Sequence, residues 1–176
     1  MDKTAIEHWS PVIGGQFWWI GLIFVLIFVP LMIFLGSKIS SKQRDMFLYG
    51  MGIYQLGNKA LTQIGYIFSD NYIMASNLPL HLCGLSGILA GIVVFYRKQI
   101  LFEFLYFFGL VGFIHSVLTP EFTGGVSSWK IFDYYVGHSM LIIIPVWLMK
   151  YYEFRLRHNA WWTSFIYLQL IVVLVS

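Results

Sequence analysis

Long apolar stretches alternate with short clusters of basic residues along the whole chain. The stretch from Phe17 to Leu35 is apolar on every face. A helix needs roughly 20 such residues to cross a hydrocarbon core of about 30 Å, so the pattern predicts a membrane span over 17–35. Pro30 falls inside it, which membrane helices tolerate, and predicts a bend. Further spans are predicted over 46–68, 78–96, 100–118, 134–151 and 161–175. Together they make an all-α, polytopic transmembrane bundle of six helices, a single domain across residues 1–176. Arg97, Lys98 and Gln99 leave only a tight turn between the third and fourth spans.

The second stretch is less apolar than the others. Gln55, Asn58, Lys59 and Thr62 recur at the i, i+3, i+4, i+7 spacing of one helix face, and Gln63 borders that stripe. The stripe is expected to face protein or water, away from lipid.

Composition supports the membrane reading: 59% of the 176 residues are hydrophobic and 11% charged, whereas soluble domains carry about 25% charged residues. The net charge of +3 comes from clusters between apolar stretches and forms no basic groove, which argues against nucleic-acid binding. The lone cysteine, Cys83, excludes an internal disulfide and leaves a buried small hydrophobe or a reactive thiol. The first span is too long, and its start too weakly basic, for a cleaved signal peptide, so it is expected to stay attached.

The loops then give orientation. Lys38, Lys42, Arg44, Arg97, Lys98, Lys150, Arg155 and Arg157 fall on one side, and Lys3 and Lys130 on the other. The positive-inside rule places the N-terminus outside. Trp9, Trp18, Trp19, Trp129 and Trp161 lie near the predicted interfaces, as an aromatic belt requires. Gly84, Gly87 and Gly91 on the third span, and Gly109, Gly112 and Ser116 on the fourth, are small-residue stripes that allow close backbone approach between these two helices.

With this orientation, polar groups from four spans share the outer half of the bilayer: Asn58, Lys59, Thr62 and Gln63; His81 and Cys83; His115 and Thr119; His138 and Ser139. Ionisable groups inside a membrane are costly and face an interior or a cavity, so this convergence is the candidate site, with a purely structural polar core as the competing account. Lys59 has three open roles: a neutral desolvated amine, a partner for a carboxylate, or a ligand for an anionic head group. Glu103 is expected to face the inner head-group region, too far from Lys59 to pair with it. His81 and Cys83 point apart at i, i+2 on a helix, so a base for the thiol is expected from His115 or His138. The three histidines also suit zinc or haem, although their spacing does not single out a metal, and no cofactor is assigned.

Four local runs carry a family resemblance: Asn77-Leu78-Pro79-Leu80-His81-Leu82-Cys83; the aromatic stretch Phe102 to Phe108 followed by Gly109; Leu118-Thr119-Pro120-Glu121; and Gly137-His138-Ser139. Over roughly residues 10 to 176 the chain resembles the bacterial YwaF-like integral membrane family. It is similar, more distantly, to the eukaryotic transmembrane protein 164 family, whose members look like cysteine-dependent phospholipid acyltransferases. The resemblance implies seven helices, and the sixth span ends at Ser176 without a charged flank, so a longer chain is expected. His115 stands where many members are expected to carry Gln. The catalytic cysteine of the second family immediately precedes the histidine matched by His81. That position is Leu80 here, and Cys83 lies two residues after the histidine.

Two functions follow as expectations. One is an enzyme acting on a lipid or lipid-linked substrate, with Cys83 accepting an acyl group, His81 or His138 moving protons, and Asn58, Gln63 or Thr119 steadying the oxyanion while Lys59 holds a phosphate. In this reading His115 also contributes to substrate binding, and membrane lipids are the partners. The other is a solute transporter or its substrate-binding subunit, which would borrow its energy from a partner protein because no Gly-x-x-x-x-Gly-Lys loop occurs. A non-catalytic scaffold is the remaining reading.

Overall fold

The computed structural model describes residues 8–68, 82–123 and 127–175. Among the described residues six helices make up the bundle: α1 (Gln16–Lys38), α2 (Ser41–Ile67), α3 (Leu82–Tyr96), α4 (Gln99–Leu118), α5 (Ser128–Tyr151) and α6 (Ala160–Val175). Among the described residues α1, α4 and α5 are long and apolar enough to cross a membrane, three helices rather than the six expected. The polar stripe of α2 lowers its hydropathy, the described part of α3 begins only at Leu82, and α6 has 16 residues. Several spans in one chain make this a multi-pass integral membrane protein.

α1 runs without interruption through Pro30, and Gly21, Val25 and Gly36 are its buried residues. Phe28, Met32 and Ile33 pack against the core while Ile23, Ile27 and Leu31 face outward, as expected of a helix held on one side by protein and on the other by lipid. Ser40 and Gln43 start α2 with a reciprocal cap: the Ser40 N–H donates to Gln43 Oε1 at 2.9 Å, and the Gln43 N–H donates to Ser40 Oγ at 3.4 Å. α4 widens to a π-helical turn over Leu105–Gly109. A side chain at Gly109 would meet the Leu141 carbonyl at 2.8 Å, so glycine permits this close approach to α5.

α5 begins at Ser128, not at the expected residue 134. Ser127 supplies the cap, its hydroxyl accepting from the Lys130 N–H at 3.3 Å. Lys130 and Asp133 lower the hydropathy of this first stretch and hid the start of the helix. The shift matters because it moves Asp133 from a loop into the second turn. A pairing that the pattern did not predict joins the N-terminal segment to the α4–α5 connection: β1 (His8–Trp9) lies antiparallel to β2 (Phe122–Thr123), with Trp9 opposite Phe122.

Trp147, Leu148, Ile143 and Ile144 of α5 meet Leu48 of α2, Val93 and Val94 of α3, and Phe102 and Leu105 of α4 in the main core. The glycine stripe of α3 does not serve α4 as expected. A side chain at Gly91 would run into Leu56 at 2.4 Å, and one at Gly87 into Lys59 at 2.7 Å, so both glycines bring α3 against α2. On α4, Gly112 faces Cys83 of α3 and Leu141 of α5.

The basic ends of the helices are tied together. Arg97, at φ +34° in the turn after α3, donates to Asp45 at 2.9 Å and lies over the rings of Tyr49 and Tyr152. Those contacts hold a backbone conformation that costs a non-glycine residue energy. Tyr152 also donates to Asp45 at 2.7 Å. Glu103 is 1% exposed and faces protein rather than a lipid surface. It accepts from Arg157 Nη2 at 2.7 Å, from Arg157 Nε at 2.9 Å and from Gln99 at 2.7 Å, because a carboxylate beneath the surface must be paired to remain charged.

Candidate functional site

The polar stripe of α2 turns inward onto α5 and α3. Gln55, 2% exposed, donates to the Gly137 carbonyl at 2.7 Å. One turn on, Asn58 donates to both oxygens of Asp133 at 2.9 and 2.8 Å, and Tyr54 donates to the same carboxylate. Lys59 lies beside Gly87 of α3, one turn beyond Cys83. Thr62 is exposed and bonds back to the Asn58 carbonyl at 2.8 Å, while Gln63 is half-buried.

Cys83 is half-buried at the α3–α4 contact, its Sγ 3.9 Å from the Gly112 carbonyl and 3.5 Å, an ordinary contact distance, from where a Cβ at Gly112 would stand. Ser86, on the same face one turn along, is fully buried with no hydrogen-bond partner for its hydroxyl among the described residues. The Tyr134 hydroxyl donates to the Ser116 carbonyl at 3.2 Å, one turn beyond Gly112 on α4.

Tyr134 also joins the thiol's surroundings to His138. Its ring packs against the imidazole with centroids 4.2 Å apart and the planes tilted by 37°, and its carbonyl lies 2.8 Å from His138 Nδ1. A carbonyl only accepts, so Nδ1 carries the proton and Nε2 is left as the basic nitrogen of the neutral ring. The aromatic contacts continue from Tyr134 to Phe122 (4.6 Å), from Phe122 to Trp9 (5.4 Å) and from Trp9 to Phe17 (5.9 Å). Trp9, Phe17 and Phe122, with Phe24, Phe132 and Tyr135, line an apolar groove of about 200 Å³ between α1 and α5.

His115 is exposed, and its partner is Thr119 on its own helix: Thr119 Oγ1 lies 3.5 Å from His115 Nε2 and donates to the His115 carbonyl at 2.9 Å. These two residues form a local pair at the end of α4. Ser139 is fully buried, and its hydroxyl has no partner among the described residues. His81 lies outside the described residues. No group of three or more His, Cys, Asp or Glu side chains among the described residues is arranged to hold a metal ion.

Residues 7–176 match the model of the TMEM164 family. This chain belongs to the TMEM164 family. The match is direct, whereas the sequence resemblance made this family the more distant relation behind the YwaF-like proteins. No curated protein and no solved structure matches the chain. In this TMEM164-family chain the residues that sequence reasoning missed are Tyr54, Asp133 and Tyr134. Asp133 was legible in principle, because Ser127 followed by an amphipathic run signals a helix start that would have carried it into the bundle.

Proposed function

We propose that this protein is a membrane-embedded acyl-transfer enzyme acting on a lipid or lipid-linked substrate, with Cys83 as its nucleophile. The observation that carries the reading is the setting of Cys83: a half-buried thiol packed against Gly112 of α4, with Lys59 beside Gly87 one turn along α3, and with Ser116, one turn along α4, bonded to Tyr134, which holds the tautomer-fixed His138. His138 Nε2 takes the proton of the Cys83 thiol, and the resulting thiolate attacks the ester carbonyl of the acyl donor and forms a thioester. The donor's C–O bond breaks, and its oxygen takes a proton from the imidazolium of His138. His138 then removes the proton of an acceptor hydroxyl, which attacks the thioester, and the thiol is restored. Asn58 and Gln63, together with Thr119 and His115 at the end of α4, are the proposed substrate contacts, with Lys59 holding a phosphate. His81 is a second candidate for the proton transfers. The apolar groove between α1 and α5 supports entry of an acyl chain from the bilayer.

The same reading has all six helices crossing the bilayer as one domain over residues 1–176, with the N-terminus outside. Purified protein incubated with a radiolabelled acyl-phospholipid is expected to form an adduct that hydroxylamine removes. Equal labelling of Cys83→Ala would end the proposal.

A further inference from the structure

The ends of α1 and α5 and the start of α2 meet around one ring. Tyr151 donates to the Ile33 carbonyl, and the ring packs where Gly36 lacks a side chain. The Arg44 guanidinium lies 4.7 Å from the ring centroid, and the Lys150 ammonium 5.3 Å from it. Arg44 is also fixed by its Nε donating to the Gly36 carbonyl at 2.7 Å, while Lys38 lies 5.1 Å from the Phe34 ring. Lys42 is exposed in the first turn of α2, where the helix dipole adds positive potential.

None of these four cations forms an ion pair among the described residues. Asp45 pairs with Arg97 and Glu103 with Arg157, and Glu153, three residues after Lys150, is exposed. Aromatic rings hold Arg44, Lys38 and Lys150 without consuming their charge or most of their N–H donors. Apolar helix surface lies beside them, including Leu31, Phe34 and Leu35 of α1.

We infer that Lys38, Lys42, Arg44 and Lys150 form a binding site for the phosphate-bearing head group of an anionic phospholipid, whose chains lie along α1. Clustered cations beside apolar helix surface are drawn to an anionic leaflet. The site is at the end of the bundle opposite Trp9 and the start of α5, and it does not depend on acyl transfer.

The test uses the full chain in nanodiscs of phosphatidylcholine, alone or mixed with phosphatidylglycerol, with bound phosphatidylglycerol counted by native mass spectrometry after detergent transfer. Lys38→Gln/Lys42→Gln/Lys150→Gln is expected to lower retention on the order of a hundredfold. Lys38→Arg/Lys42→Arg/Lys150→Arg is expected to keep it. A charge-matched control, Lys3→Gln/Lys98→Gln/Lys130→Gln, is expected to retain the lipid as the parent protein does. Equal retention by the Gln variant, equal loss in the control, or loss in the Arg variant would overturn the site. Inorganic phosphate is the competing arm: if it displaces phosphatidylglycerol completely, the ligand is phosphate and the lipid assignment fails.

Discussion

Asn58 donates to both carboxylate oxygens of Asp133, at 2.9 and 2.8 Å, from helices far apart in the chain. Tyr54 adds a third donor to the same carboxylate. Asp133→Ala strands both partners in a half-buried setting, and each polar group left unsatisfied costs about 1–3 kcal/mol. A lower unfolding temperature in detergent is expected, with Asp133→Asn losing less because it keeps an acceptor oxygen. Unfolding of Asp133→Ala at the parent temperature would show that this junction contributes nothing.

Gly87→Ala probes Lys59 without replacing it. The new methyl group meets Lys59 Cε at 2.7 Å, and a flexible side chain can yield, so the fold is expected to persist while the ammonium moves. Acyl labelling of Cys83 should fall although Lys59 is intact. Gly21→Ala is the contrasting case, because its methyl group would stand 2.1 Å from the Tyr135 ring and force the ring to shift. A stability loss of about 1–3 kcal/mol is expected there.

His138→Gln removes the basic nitrogen and preserves side-chain volume and polarity. The rate of adduct formation should fall by roughly 10²- to 10⁴-fold, the range for a positioned acid–base group. Reactivity of Cys83 toward a small alkylating reagent in detergent should change far less, which separates proton transfer from access. A His138→Gln protein that acylates at the parent rate would exclude this histidine.

Tyr152 lies beyond the end of α5, and burial followed by its hydrogen bond to Asp45 pushes its hydroxyl from the ordinary value near 10 up to about 12. A raised value means that the stabilisation is fully present below pH 10 and is lost as pH rises through 12. Asp45, ahead of the apolar part of α2, moves the other way: the Tyr152 hydroxyl and then Arg97 hold its carboxyl below the usual range. Its contribution is present above pH 3.8 and disappears as pH falls through the lower folded value. Tyr152→Phe should flatten the alkaline limb of the unfolding-temperature profile relative to the parent. Superimposable profiles above pH 10 would contradict this coupling.

Orientation has its own measurement. In a Cys83→Ala background, a cysteine at Lys42 is expected to be protected from an impermeant thiol reagent in intact cells, and one at Thr123 to react. Reversed labelling would put the N-terminus inside.

Residue chemistry alone determined the class of this protein: uninterrupted apolar stretches with basic clusters between them have no stable home except a bilayer, and helix is the form in which such stretches satisfy their own backbone. The inward face of α2 was also legible, because Gln55, Asn58 and Lys59 at helical spacing cannot share a lipid-facing side at acceptable cost. Partners were not legible. Periodicity reports which face of a helix is polar but carries no information on the helix opposite, so the choice of Asp133 for Asn58, of Gly137 for Gln55 and of Arg157 for Glu103 waited on packing. The same limit explains the glycine stripe of α3, whose close-approach surface could be read along the chain while its use against α2 could not. His115 illustrates the converse: at the same predicted depth as His138, it is turned outward by its rotation on α4, and rotation about a helix axis is settled only when the neighbouring helices dock.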